Sequence, residues 1–519
     1  MKKISSLLKN WNYVSWIIPF STLFLTYICY SNLGKGMIFN DEAMYLFQFR
    51  DYKTTFTLAT TNFFKIFQPF YTDDIHLFRI ITYIILNLST FSLFFALGRY
   101  FKTAIHPVFI AMLGLCFNFF TWQASNIVLQ NYIANTVLCN FILTFMVLAA
   151  TFAKSTYLVP SGFFTGIFLF DGIPNTVLLV PMLLYVFLVF EKKNFYLYLL
   201  GILIGILYYF IFVEHPSEFF KQLEFVKEYK VFHRKQHPDR LYFYWIVYLF
   251  IFLIIPLIIS IYFDKKFKIR NSIIGILLVT NIITLFFKQN IYVEYLLLSF
   301  LLYTAADSLK DRSSLYLLIL ICLLPFGLAF GSNMPFEIRG RTYTIYYIIV
   351  LLIIINLQYT IKAYVLFLLF FLYSMYNFYA EFNDKSWKGF IYSEQTEKVN
   401  VNGYSLYFDK QRKKELDALR PYLQNQKNVI YSQNKLMGYL YILHAEPPMH
   451  TYFVFRQYME YLIRKQNKVP DDYIYLESEK YPFNPKDFTP LTIVTNPADY
   501  KIIHVEDFTI YLPKNYKQK

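Results

Sequence analysis

Polar and apolar positions in this chain are sorted into blocks. Apolar runs of roughly bilayer-spanning length, about 20 residues, fall near 14–32, 77–98, 105–121, 132–153, 157–170, 174–190 and 195–213. More follow near 242–263, 272–287, 291–306, 314–330, 341–357 and 361–380. Each run predicts a helix. The fifth is short and glycine-rich, which suggests a tilted or broken span. The expectation is a polytopic α-helical membrane protein with about 13 transmembrane helices over residues 1–380. After 381 the pattern changes. YSLYF (404–408) and NVIYS (428–432) read as strands, 411–424 as a helix, and 491–495, 501–505 and 508–512 as further strands, so 381–519 is expected to be a soluble α/β domain.

Composition agrees with that division. Of the residues, 56% are hydrophobic and 16% charged, whereas a soluble domain sits nearer a quarter charged. The N-terminal run, from about Val14 to Tyr30, is longer than a signal-peptide core and lacks a small-residue cleavage pattern, so it is expected to be a retained span. Cys29, Cys116, Cys139 and Cys322 all lie in apolar segments, which leaves no disulfide or zinc framework for the tail.

Sidedness follows from where the positive charges fall in a chain of net charge +15. With the N-terminus cytoplasmic, the short inside connections hold Lys2, Lys3, Lys9, Arg99, Lys102, Lys192, Lys193, Lys265, Lys266, Lys268 and Arg270. The outside turns 121–126 and 171–175 hold no Lys or Arg. That is positive-inside bias, and an odd number of spans places the tail outside. The basic residues form no patch on a nucleic-acid-binding fold, so no nucleic-acid partner is expected; membrane lipid and lipid-linked phosphate suit the charge better.

Two outside loops are long, 33–76 and 214–241. The first, EAMYLFQFRDYKTTF from Glu42, has Met44, Phe47 and Tyr52 near helical spacing and reads as an interfacial amphipathic helix lying on the membrane. The second is charged and aromatic, with Phe219, Phe220 and Leu223 placed to rest on the bilayer. Together they are expected to roof a membrane-embedded cavity.

The candidate chemistry lies on this outer side. Asp41 and Glu42 are adjacent carboxylates just beyond the first span, suited to a general base and its support; the plainer alternative is a solvated acid pair. Arg79 almost enters an apolar run, and a buried guanidinium needs an anionic partner such as phosphate or carboxylate, unless it snorkels to the interface. Beside it are His76, a weak substrate-binding candidate, and Asp73 and Asp74, the candidates for a divalent metal that no cluster spacing demands. Asp171 either binds substrate or caps the helix beginning near Pro174. Lys288 and Arg339 supply positive charge, and Asn333, in a Gly-Ser-Asn turn, supplies donors to an anion.

These residues resemble the GT-C superfamily of integral-membrane glycosyltransferases, in particular the protein mannosyltransferase and aminoarabinose transferase branch. The likeness rests on Asp41-Glu42-Ala43-Met44-Tyr45 in the first outside loop. A group of uncharacterised bacterial relatives is similar more closely. Their Pro-x-x-x-x-x-Gly-Thr-Asn-Asn segment resembles Pro325 to Met334 here, with Gly331-Ser332-Asn333-Met334 at its end. A Pro-Ser-Tyr-Asn-like segment is degraded to Gln130-Asn131-Tyr132-Ile133-Ala134-Asn135. The resemblance implies transfer of a sugar from a polyprenyl-phosphate carrier to a lipid, glycan or protein acceptor. Asp41 would be the base, Glu42 its support, and Arg79, Lys288 or Arg339 the binders of the donor phosphate. Members of the superfamily differ on metal dependence, so no cofactor is assigned.

Two rivals are a transporter or flippase of lipid-linked glycans and a glycan polymerase or ligase. The first calls for charges deep in spans and broken helices in paired halves; the runs hold almost no mid-span charge and show no internal repeat. The second calls for a long outside loop rich in Arg, which only 214–241 approaches. The lone Asn-x-Ser/Thr sequon, Asn87-Leu88-Ser89, lies inside a span. With the cysteine-free tail, this leans towards a bacterial inner membrane with a periplasmic C-terminal domain.

Overall fold

The structure, a computed structural model, describes residues 11–37, 39, 41–53, 62–102, 106–121, 128–234, 312–329, 343, 345, 346, 349, 395–447, 473–480, 500–514 and 516. Helices α1 (Trp11–Asn32), α2 (Asp41–Arg50), α3 (Phe63–Ile66), α4 (Ile75–Tyr100), α5 (Pro107–Thr121) and α6 (Asn131–Phe152) come first. They are followed by α7 (Leu158–Asp171), a 3-10 turn (Ile173–Leu178) leading into α8 (Leu179–Val189), α9 (Lys192–Tyr208) with a π-helical end (Tyr209–Val213), α10 (Pro216–Arg234) and α11 (Arg312–Ala329). Three segments, Ile75–Tyr100, Asn131–Phe152 and Lys192–Val213, are long and apolar enough to cross a membrane. Phe20 and Phe24 on α1, Leu184 and Leu188 on α8, and Ile211 and Phe212 at the end of α9 face outward, as lipid-facing side chains do. The expected spans at 242–263, 272–287, 291–306 and 361–380, and most of 341–357, lie outside the described residues.

The glycine-rich fifth run is one continuous helix (Leu158–Asp171), which corrects the broken alternative of its tilted-or-broken reading. Its Gly162 and Gly166 meet Gly201 and Gly205 of α9. A Cβ added at Gly162 would lie 2.9 Å from the Cα of Gly201 and closer still to the Tyr198 carbonyl. Small residues four apart let two helix backbones touch where neither water nor a bulky side chain separates them. Polar side chains also join the helices. Asn118 donates to Thr90 (2.8 Å) and Asn87 (3.2 Å), and Asn140 donates to Ser89 and Thr90 (both 3.2 Å). These bonds pair the amide N–H groups, which hydrocarbon cannot do.

The tail carries β1 (Glu397–Val401), β2 (Tyr404–Phe408), α12 (Lys410–Leu423), β3 (Val429–Tyr431), α13 (Met437–Ile442), β4 (Ile474–Ser478), β5 (Tyr500–Val505) and β6 (Phe508–Pro513). Strands β1 and β2 form a hairpin closed at Asn402 and Gly403, both at positive φ, the Asn-Gly chemistry of a two-residue turn. Asp409 caps α12 through the Arg412 amide (2.7 Å). The larger sheet runs β3-β4-β6-β5, with β3 and β4 parallel and the other pairs antiparallel. The expected strand at 491–495 lies outside the described residues.

The tail docks on the first long loop. Helix α2 buries Glu42, Ala43, Met44, Leu46, Phe47, Gln48 and Phe49, which corrects its reading as an interfacial helix lying on lipid. A bilayer-surface helix keeps a polar face in water, whereas α2 is covered on its outer side by the tail. Phe47 meets Tyr441 edge to face (5.1 Å), Phe39 packs on Tyr439 (4.7 Å), and Arg412 lies over the Phe39 ring (4.4 Å).

Candidate functional site

Arg79 sits in the second turn of α4 with its side chain wholly buried, facing Glu42 in the first turn of α2. Its Nε donates to Glu42 Oε1 and its Nη2 to Glu42 Oε2, both at 2.8 Å. The remaining N–H groups reach main-chain carbonyls: Nη2 to Gly36 (2.8 Å), and Nη1 to Leu33 (2.7 Å) and Lys35 (3.3 Å). Those five bonds use every donor a guanidinium has. In this arrangement Arg79 holds protein, not a donor phosphate, and the anion it needs is the Glu42 carboxylate. Glu42 in turn accepts the Val128 amide (3.3 Å), so its place is structural, beside Asp41 and not in parallel with it. Asp41 is the half-buried first residue of α2, and the clamp on Glu42 fixes its position.

The same loop strand is gripped from the other side by the tail. The Gly36 amide donates to the Tyr407 carbonyl (2.7 Å), and the Tyr407 amide donates to the Gly34 carbonyl (3.0 Å). Residues 33–36 are thus a strap between a buried arginine and strand β2. At the loop's far end, Tyr71 donates to Asp73 (2.7 Å), and Asn402 of the hairpin turn reaches the Asp73 carbonyl (3.4 Å) and the Tyr441 hydroxyl (3.4 Å). Burial raises the Tyr71 phenol far above its ordinary range and pushes Tyr441 up to about 12, so both are neutral donors.

Asp74 is the N-cap of α4, accepting from the amides of His76 (3.0 Å) and Leu77 (3.2 Å). One oxygen of the Asp74 carboxylate is thus used as helix caps are. No three His, Cys, Asp or Glu side chains converge as a metal site among the described residues. His76 faces the Tyr30 ring at the end of α1 (6.3 Å).

Asp171 ends α7, wholly buried, and neither carboxylate oxygen has a hydrogen-bond partner among the described residues. The 3-10 turn that follows is preceded by Gly172 and has no side-chain cap, so the capping alternative is corrected. The Asn62 amide donates to the Asp171 carbonyl (3.1 Å), which ties α7 to the first loop. Asn62 opens a buried cluster that reading the sequence missed. Its side chain donates to Tyr209 (2.9 Å) and Glu214 (3.3 Å), Tyr209 donates to Glu214 (2.6 Å), and Lys65 forms an ion pair with Glu214. The signals were two lone charges: Lys65 within Phe63-Phe64-Lys65-Ile66-Phe67, and Glu214 at the end of the seventh run. A cation buried among aromatics requires an acid.

The structure therefore brings Glu42 to Arg79, both ends of the first loop to the tail, and Asp171 to that loop's middle. Lys288, Asn333 and Arg339 lie outside the described residues. No protein-family model matches the chain, and no curated protein matches it.

Proposed function

We propose that the protein is a GT-C-like glycosyltransferase with about 13 spans, set in a bacterial inner membrane with its tail in the periplasm. It moves a sugar from a polyprenyl-phosphate carrier to a lipid, glycan or protein acceptor. The observation that carries this reading is Asp41 at the start of a helix whose next residue is locked by Arg79. A carboxylate is thereby held at a fixed point where the first loop, the tail and the outer ends of α4 and α6 meet. Asp41 takes the proton of the acceptor hydroxyl or amine as that atom attacks the anomeric carbon. The carbon–oxygen bond to phosphate breaks on the opposite face, and polyprenyl phosphate leaves with the bonding pair, inverting the centre. Arg79 and Lys65 are already committed to carboxylates, so the carrier phosphate falls to Lys288 and Arg339, with Asn333 as a donor.

The transporter reading is less well supported. Every Asp, Glu, Lys and Arg of the described apolar helices lies within two turns of a helix end, whereas transport paths place charges deep in the membrane. The test compares wild type with Asp41→Asn for transfer of radiolabelled sugar from polyprenyl-phosphate carriers in membranes. Loss of a general base is expected to slow transfer by about 10²–10⁴-fold. Undiminished transfer by Asp41→Asn overturns the assigned base, and no transfer from any carrier by wild type returns the transporter reading.

A further inference from the structure

Six side-chain polar atoms near the outer end of α6 find no hydrogen-bond partner among the described residues: both oxygens of Asp171, Oδ1 of Asn62, Oε1 and Nε2 of Gln130, and Nδ2 of Asn131. Asp171, Asn62 and Gln130 are essentially inaccessible. Native interiors leave few such atoms unpaired, and each calls for an explanation. The residues that carry them are joined through the chain and through bonds of their neighbours. Asn62 is joined to Asp171 through the main chain (3.1 Å). Asn175, in the turn that follows Asp171, donates to Asn135 (2.7 Å), and Asn135 donates to Asn131 Oδ1 (3.1 Å). Gln130 is the N-cap residue of α6, two positions after Val128, whose amide binds Glu42. This polar belt therefore meets the first loop at two points, Glu42 through Val128 and Asn62 through Asp171.

Its chemistry is selective. Asp171 and Asn62 offer acceptors, Gln130 both kinds of group, and Asn131 a donor. The nearby cations, Arg79 and Lys65, are neutralised by Glu42 and Glu214, so the belt offers a phosphate no counter-charge. It does not suit a bare cation either, because amide N–H groups share it. A sugar ring matches it, since each hydroxyl both donates and accepts.

We propose that this belt is the subsite for the sugar ring of the donor, with the carrier phosphate bound elsewhere. The proposal rests on the glycosyltransferase reading and names its sugar-binding residues: Asp171 and Asn62 accept from ring hydroxyls, and Gln130 and Asn131 donate to them.

The test measures binding of bare polyprenyl phosphate and of carriers bearing glucose, mannose, galactose, N-acetylglucosamine or arabinose to the full chain in nanodiscs. At least one glycosylated carrier is expected to bind wild type about ten-fold more tightly than the bare one, the worth of one strong hydrogen bond. Gln130→Leu and Asp171→Asn are expected to remove most of that preference and leave bare-carrier affinity unchanged. If Gln130→Leu fails to fold, Gln130→Glu, which lacks the amide donor, is read in its place. Variants that retain the preference, or lose affinity for bare and glycosylated carriers in parallel, overturn the subsite. A wild type that binds bare carrier and shows no preference overturns the subsite alone. A wild type that binds no carrier overturns the glycosyltransferase reading and the subsite with it.

Discussion

At Arg79 one side chain joins three parts of the chain: its own helix, the strap 33–36 and the first turn of α2. Removing one partner of a buried ion pair strands the other and costs about 3–5 kcal/mol, whereas replacing both with apolar groups costs less. Arg79→Met and Glu42→Leu are each expected to lower the unfolding temperature of the full chain in detergent, and the double variant is expected to recover part of the loss. Equal, additive losses would rule out the pair as a unit. His444 supplies a second prediction. Burial and Arg50 hold its imidazole below the ordinary 6.5, against the pull of Asp73. The unfolded chain therefore takes up the proton first. The stability this contributes is complete above about pH 6.5 and is lost as pH falls through the lower folded value. Thermal unfolding followed from neutral pH downward should show that slope in wild type and a weaker one in His444→Asn, which also tolerates the positive φ found there. Sequence alone showed that Arg79, if buried and not snorkelling, required an anion. It could not show which one, because the answer lay 37 residues away in a loop whose path no local pattern dictates.

Among the elements, the apolar runs were read well because hydrocarbon imposes one rule on a whole helix. Every described run from the first to the seventh is a helix within a few residues of its expected place. Helix α2 was misread because its ring of Phe47, Phe49 and Met44 looks the same whether lipid or protein covers it; the covering chain comes from residues near 440. The glycine pairs of α7 and α9 show the reverse. Their four-residue spacing was visible in the sequence, but its use as a contact became clear only when the two helices were seen together. Gly162→Val and Gly205→Val each push a side chain into the facing backbone. Overpacking of this kind costs about 1–3 kcal/mol or more. Lower unfolding temperatures are expected for both variants, and wild-type behaviour would show that the helices do not touch there.

For the whole molecule, the tail is part of the first loop's structure. The alternation in 404–408 and 501–512 was enough to predict strands, yet β1, β4 and α13 went unread, and the docking surface lies on α13. Gly438 is the tightest point: its amide donates to the Phe39 carbonyl (2.8 Å), and a Cβ there would lie 2.7 Å from Phe39 Cα and nearer to the ring. Gly438→Val is expected to speed hydrogen exchange at the Gly36 amide, with Ile502→Val on an exposed strand as the unaffected control. Unchanged exchange at Gly36 would separate the tail from the strap.

The pairing of Gly36 with Tyr407 also sets a schedule for biosynthesis. Helix α2 and its aromatic face emerge early, but the strand and helix that cover them follow more than 350 residues later. At about 5–20 residues per second the interval is roughly 20–70 s. Throughout it, Phe39 and Phe47 are open to any chaperone or neighbouring nascent chain on that side of the membrane. A message truncated before the tail would leave that surface uncovered.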